Sequence, residues 1–513
     1  MVSALFSRVV AAARSDIRGL TSAIRAAKAP SRPPSGLLAY DFTGDGGRTR
    51  IHLRMQDDGT AMLFVDVTDA VHLSGTAAHI AWLVLERRDE HDALAALQAA
   101  YSHVSRASLR SDYRQIARVL RTLTTPAEGC RSCLAELPTT PLFSVRARAP
   151  HKVDLAITYE CSNECPHCYN DPSRFDLRSL PTDDWKRILD RLAAAGVPHV
   201  IFTGGEATLH PGLPEMVAHA NALGMIAGLN SNGRTLAHGP ILERLAKAGL
   251  DHVQVTLESH RPEVHDAMVA APRAFAQTVA GVRASLQAIP HTITNTTITR
   301  LNRDHLEDTV SFLHELGIRT FAMNGMIYSG GGGANPDAIP QAALPPLLVG
   351  VRERARALSM KFLWYTVTEY CEMSPVELEL GAKRCNAGEY SMCIEPNGDV
   401  LPCQSYYVSA GNALRDSWDT IWKGELFRSF RDREDDPSAA GLPRKCGECP
   451  DLPLCGGGCR IEREARDGSA PSGCQSCASG GSSVGVRSSG KSACGGTAND
   501  VELVQLRQKG DPC

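Results

Sequence analysis

The chain has 513 residues, 43% of them hydrophobic, and a formal net charge of −3. That length exceeds a single hydrophobic core and suits roughly three or four domains of typical size. The near-neutral charge gives no global case for nucleic acid, and no apolar run approaches the length of a membrane span. Most of the 17 cysteines fall in the second half, with no secretory signal before them. Clustered thiols in a reducing compartment, the cytoplasm, read as metal ligands before disulfides.

Residues 1–35 open with an apolar series at helical spacing: Leu5, Val9, Ala12, Ile17, Leu20 and Ile24, interleaved with Arg8, Arg14, Arg18, Arg25 and Lys28. This is an amphipathic leader helix, loosely attached, with an organelle transit segment as the alternative. "APSRPPSG" ends it. Residues 36–125 form a small separate domain. "RTRIHLRMQDDGTAMLFVDV" alternates apolar and polar residues around "DDG" and predicts a hairpin. A helix follows with Ser74 or Thr76 as its cap. Two more helices carry Leu94, Leu97 and Tyr101, then Tyr113, Ile116, Leu120 and Leu123, at helical spacing. Strands followed by three short helices predict a winged-helix-like fold. The last helix is not basic on one clean face, and the acidic run "ERRDEHD" argues against a phosphate surface. Residues 126–152 are a linker whose Cys130 and Cys133 read as structural or incidental.

From 153 to 375 strands and helices alternate, which predicts parallel βα units in an open sheet or barrel. Six strands are expected, with polar residues at their C-terminal ends, where such folds place their sites. The first strand, "VDLAITYE", runs straight into Cys161, Cys165 and Cys168, spaced C-x3-C-x2-C. A closed structural zinc site takes four ligands and disulfides take pairs. Three thiolates leave a coordination position open. "SGGGG" at 329–333 lacks the lysine of a phosphate loop and reads as a mobile loop at the barrel rim. Residues 376–478 carry a second constellation: Cys385, Cys393 and Cys403, then Cys446, Cys449, Cys455 and Cys459 spaced C-x2-C-x5-C-x3-C, then Cys474 and Cys477. Paired C-x2-C elements also suit a zinc ribbon. Residues 479–513 are Gly/Ser-rich and expected to be disordered.

"CSNECPHCYN" closing one strand, "TGGEAT" closing the next, and the βα alternation resemble the radical S-adenosylmethionine (SAM) superfamily. The resemblance implies a partial (β/α)6 TIM-like barrel. It implies a [4Fe–4S] cluster on Cys161, Cys165 and Cys168 whose open iron binds SAM and donates one electron to cleave it to methionine and a 5′-deoxyadenosyl radical. Gly204 and Gly205 would let the backbone approach the methionine, and Glu206 would take its ammonium. The usual proline after that motif is Ala207 here. Tyr169 would lie near the adenine. Asn230, Asn232, Glu258 and Ser259 would hold methionine and ribose, with turn and cap chemistry as the alternative.

The later cysteines resemble the SPASM domain, which implies two auxiliary [4Fe–4S] clusters. One would take Cys385, Cys393, Cys403 and Cys459. The other would take Cys446, Cys449, Cys455 and Cys474, with Cys477 as rival. Residues 36–125 resemble the RiPP recognition element of peptide maturases. There a precursor's leader peptide would add as a strand beside "AMLFVDV", against the helix beginning near Thr76. The implied function is radical modification of a ribosomally made precursor peptide, by a thioether or carbon–carbon crosslink or a related change. An electron donor such as a flavodoxin or ferredoxin is implied too. Sulfatase maturases are an alternative, although they typically carry an acidic residue where Gln404 stands. A haem-type small-molecule enzyme and a zinc-dependent winged-helix regulator complete the alternatives.

Overall fold

The computed structural model describes residues 32–44, 47–66, 69–124, 143, 146–467 and 503–506. The readings made for residues 1–31, for Cys130, Cys133, Cys474, Cys477, Cys494 and Cys513, and for most of the Gly/Ser-rich tail lie outside them. Two compact units divide the chain: an N-terminal one reaching Thr139 and a larger one that includes Thr140–Leu503.

The N-terminal unit has an antiparallel sheet. β1 (Gly36–Gly44) pairs with β2 (Gly47–Met55), which pairs with β3 (Ala61–Val65). The β2–β3 hairpin turns at "DDG", as its alternating pattern predicts. The sequence reading missed β1 and also β4 (Asp69–Leu73), which lies beside β3. β3 is therefore an interior strand and offers no edge for an added strand, a correction to the docking position expected beside "AMLFVDV". Beyond β4 lies Leu503–Leu506, the one described segment of the tail expected to be disordered.

Helices Gly75–Leu85, Glu90–Ala100 and Arg106–Thr124 complete the unit. Ser74 caps the first, its hydroxyl accepting from the Ala77 N–H at 3.4 Å. The third buries Leu109, Tyr113, Ile116, Leu120 and Leu123 and exposes Arg106, Arg110, Arg114, Arg118 and Arg121. These arginines recur at helical spacing and do share one face, contrary to the expectation. Glu90 pairs with Arg110 and Arg114 and offsets part of that charge.

The larger unit is built on a nine-stranded sheet. Six parallel strands follow one another: β5 (Lys152–Thr158), β6 (His199–Gly204), β7 (Ile226–Ser231), β8 (His252–Thr256), β9 (His291–Thr297) and β10 (Thr320–Asn324). Along β5, Val153, Leu155 and Ile157 pack into the main core with the helices, leaving Lys152, Asp154 and Ala156 on the other face. The helix Thr182–Ala194 returns Trp185, Ile188, Leu189 and Leu192 to that core at i, i+3, i+4 and i+7 spacing.

This is the expected partial barrel of parallel strands, extended at both edges. β11 (Lys361–Trp364) adds parallel to β10 after the helix Pro345–Ala357. β12 (Ser391–Ile394), from the cysteine-rich segment, adds parallel to β5, and β13 (Val400–Leu401) pairs with it. No described helix is long and apolar enough to cross a membrane.

At the start of the strands His199 Nε2 lies 2.8 Å from His252 Nε2. Burial, then the neighbouring His291 and Lys152, lowers the His252 pKa to about 4. A histidine depressed in the folded state contributes stability that is full above its unfolded pKa and lost as pH falls toward the folded one. Between pH 6.5 and about 4, His252→Gln should therefore flatten the pH dependence of the thermal midpoint of the metal-loaded protein. Parallel curves for the two proteins would refute this.

Candidate functional site

Strand β5 ends at Thr158, and the loop after it carries the three cysteines. Three sets of anchors hold that loop. From β6, Gly205 N–H donates to the Thr158 carbonyl and Glu206 N–H to the Glu160 carbonyl, at 2.8 and 2.7 Å. A Cβ on Gly204 would sit 2.0 Å from the Thr158 oxygen, and one on Gly205 2.3 Å from the Glu160 oxygen. The glycine pair is thus required by the approach of two strand ends, whatever else it admits. Glu206 is fully buried. Its Oε1 accepts from the Thr208 and Ser231 hydroxyls at 2.6 and 2.9 Å, and its Oε2 from the Asn232 N–H at 2.7 Å. Burial pushes this carboxyl up, and these bonds pull against it.

From β7 and its turn, Asn232 Nδ2 donates to Ser162 Oγ at 2.9 Å. Arg234 donates to the Ser162 carbonyl and, at 2.8 Å, to Asn163 Oδ1, and Gln277 Oε1 holds its Nε at 2.7 Å. From β8, the buried Glu258 lies 3.0 Å from His167 Nε2 and accepts from the Thr297 N–H at 2.7 Å. Burial alone would lower the His167 pKa; the Glu258 carboxylate outweighs it and raises the pKa.

The structure thus gathers Glu206, Asn232 and Glu258 around the cysteine loop, along with Tyr169, whose hydroxyl donates to Gln404 Oε1 at 3.3 Å. Ser259 instead caps a turn, accepting from the Arg261 N–H. Asn230 alternates with core-facing Leu229 on β7 and makes no side-chain hydrogen bond among the described residues. Sequence reasoning passed over His167 and Arg234, although the first sits inside the cysteine motif and the second directly follows "LNSNG". With Gln277 held in place, Arg234→Ala should leave the barrel folded and loosen the loop. The expected result is about a fivefold faster loss of iron to a chelator, the scale of one hydrogen bond removed. An unchanged rate would show the clamp to be idle.

The three thiols are close enough to perturb one another. Cys165 is raised by burial, then by Cys168, Glu258 and Cys161. Without a metal such thiols stay protonated; a cationic iron centre reverses the balance and takes them as thiolates. The donor set, its mutual proximity and its anchored loop fit a cluster.

Two further groupings lie in the C-terminal segment. Cys403 and Cys459 are both raised, chiefly by burial and then by Cys385, Cys459 to about 12. Cys446 is raised by burial, with Cys455 and Cys371 as its thiol neighbours, against Lys445. The Tyr370 N–H donates to Cys455 Sγ at 3.4 Å, and Lys445 Nζ lies 3.7 Å from Cys371 Sγ. Cys449 is exposed nearby in sequence. Cys371 was not among the expected ligands. Cys393, which was, is fully buried on β12 in an apolar cluster with Ala156, Tyr159 and Leu401. Burial raises its thiol most, then Asp154 and Glu395, with Cys403 behind them.

The Gly-rich segment is another correction. Ser329, Gly330 and Gly332 are buried, so it is not a loop standing free at the rim. It is packed against the cysteine loop, with the Gly331 N–H donating to the Cys168 carbonyl at 2.8 Å.

Comparison with known proteins agrees with this geometry. Residues 155–313 match the radical SAM superfamily, and residues 385–450 match an iron–sulfur cluster-binding domain, SPASM. A PqqA peptide cyclase of Xanthomonas campestris pv. campestris is 33% identical over 339 residues, 63% of this chain and 85% of that protein. An AdoMet-dependent heme synthase of Methanosarcina barkeri is 28% identical over 337 residues, 62% and 94% of the two chains. Among solved structures, Streptococcus suis SuiB bound to precursor peptide SuiA superposes with a TM-score of 0.60 at 17% identity, covering 85% of this chain and 100% of that one. The chain belongs to the radical SAM superfamily, in its SPASM-containing branch, and is an enzyme. That membership brings a [4Fe–4S] cluster and SAM to the barrel, and auxiliary iron–sulfur clusters to the C-terminal segment.

Proposed function

We propose that this enzyme modifies a ribosomally made precursor peptide. The observation that carries the reading is the conjunction of three parts: the anchored Cys161–Cys165–Cys168 loop, the auxiliary thiol groupings, and a separate N-terminal unit with its own sheet and core. The PqqA peptide cyclase likeness supports a peptide substrate. When bound, the cluster and SAM supply a 5′-deoxyadenosyl radical that abstracts a substrate hydrogen. This chain's own residues do the rest. Asn232, Arg234 and Glu258 with His167 hold the loop. Tyr169 and Gln404 line the space beside Cys168. Asn230 offers an amide to the ligand.

We assign the SAM cluster to Cys161, Cys165 and Cys168. The auxiliary clusters draw on Cys385, Cys403 and Cys459, and on Cys446, Cys449 and Cys455. Cys371, beside Cys446, supplies one further thiolate to the second set, whereas Cys393, although Cys403 is near it, is fully buried on β12 against an apolar cluster and is left out of the first. Cys371→Ala should then lower the iron content of the anaerobically reconstituted protein, and Cys393→Ala should not. The reverse pattern would restore Cys393 as the ligand.

The N-terminal unit is the leader-binding module, a cytoplasmic flavodoxin or ferredoxin is the electron donor, and the product is a thioether or carbon–carbon crosslink. Gln404 disfavours the sulfatase-maturase alternative, since an amide beside Tyr169 cannot accept a proton as a carboxylate does. The test is anaerobic incubation with SAM and the peptide from a short neighbouring reading frame, read by mass spectrometry. A peptide lighter by a hydrogen pair supports the crosslink. SAM cleavage that no peptide stimulates sinks the reading.

A further inference from the structure

The segment Ser329–Gly331 touches the radical site and the auxiliary domain at once. On one side the Gly331 N–H donates to the Cys168 carbonyl at 2.8 Å. On the other the buried Ser329 hydroxyl donates to the Ser405 carbonyl at 3.1 Å, and the Ser405 N–H donates in turn to Cys403 Sγ at 3.3 Å. Three hydrogen bonds and a short stretch of backbone thus join Cys168 to Cys403. Asn335 braces the same loop from the next turn, its Nδ2 donating to the Pro166 carbonyl at 3.1 Å.

The contact leaves no slack. A Cβ on Gly331 would meet the Pro166 oxygen at 2.5 Å, and one on Gly330, at φ +52°, the Asn170 oxygen at 2.4 Å. Both obstacles are backbone atoms of the cysteine loop, which cannot rotate aside as a side chain can. The Ser329–Ser405 bond is buried, where directional contacts hold a geometry most firmly. A stretch whose composition reads as flexible is therefore fixed by what it touches.

We propose that Ser329–Gly331 is a positioning element of the reaction, a strap that sets the cluster-binding loop in register with Cys403. The proposal rests on Cys161, Cys165, Cys168 and Cys403 being cluster ligands. It adds that the spacing and orientation of the two centres are set by this strap, through Cys168 and Ser405, rather than by each domain separately.

Three variants test it, read by electron paramagnetic resonance of the reduced protein with SAM as the probe, and by substrate-free SAM cleavage. Ser329→Ala deletes the hydroxyl's bond to the Ser405 carbonyl and leaves the backbone bonds of the segment itself in place. It should keep full iron content and slow cleavage about fivefold, the scale of one buried hydrogen bond. Ser329→Thr should restore the rate. Gly331→Ala should leave the auxiliary signals as they are and turn the single SAM-shifted signal into two. Wild-type spectra and rates in both Ser329→Ala and Gly331→Ala would overturn the proposal. So would loss of all clusters in Gly331→Ala beside an unaffected Ser329→Ala, which would mark the segment as ordinary packing. A wild-type protein with no SAM-responsive signal would instead remove the ligand assignment beneath it.

Discussion

Replacing Cys161, Cys165 and Cys168 together by Ala should leave about eight of twelve irons, if all three centres are [4Fe–4S] clusters, and should abolish SAM cleavage. The expectation follows from where these thiols sit. The loop is held from outside by Gly205, Glu206, Arg234 and the Gly331 N–H, all through its backbone or through Ser162 and Asn163. Removing three sulfur atoms leaves those anchors in place, so the barrel should fold and the auxiliary centres should fill. The auxiliary thiols belong to other elements, after β11 and along the C-terminal segment. Iron analysis and anaerobic assay of methionine release check the two halves separately. Retained cleavage would detach the activity from this loop. Loss of all the iron would mean that the centres assemble as one unit.

The barrel was legible because strands such as β5 and β6 carry apolar runs and alternate with helices whose buried residues recur at helical spacing, as Trp185, Ile188, Leu189 and Leu192 do. The cysteine loop was legible from spacing alone. What the sequence hid were contacts between distant segments. β12 was hidden because its pairing with β5 joins residues more than two hundred apart, a register no local pattern encodes. The same holds for the Gly-rich segment: glycine reads as freedom in a sequence, and only the carbonyls of Pro166 and Asn170 reveal that here it serves close approach. β4 was masked by proximity to a strong helix signal, since "HLS" reads as a cap before it reads as the end of a strand. Its presence turns β3 from an edge into an interior strand. Cys371 went unassigned because it belongs to no spaced motif; its contacts with Lys445 and Glu369 and the nearness of Cys446 place it.

Deleting residues 1–139 should separate binding from chemistry. The N-terminal unit has a core of its own, built on Ile51, Leu53, Leu63, Ile80, Leu94 and Leu120, and the larger unit has another, built on the barrel strands and their helices. The truncated chain should therefore fold, retain its irons and cleave SAM slowly without substrate. It should lose turnover of a full-length precursor, because a tethered leader holds the core peptide at high local concentration near the radical and an untethered one does not. The loss should appear chiefly as a higher KM, and a large excess of peptide should recover part of the rate. Strand addition draws its affinity from backbone bonds, so single side-chain changes in the sheet should do far less than the deletion. With β3 enclosed, an added strand has two places: beyond β1, or beyond β4 where Leu503–Leu506 already lies. Removing residues 503–513 distinguishes them, since only in the second case should leader affinity rise. If the chain lacking residues 1–139 processes full-length precursor at the wild-type rate, the N-terminal unit does not bind the leader, and a folded protein or small-molecule substrate becomes the better account of the barrel.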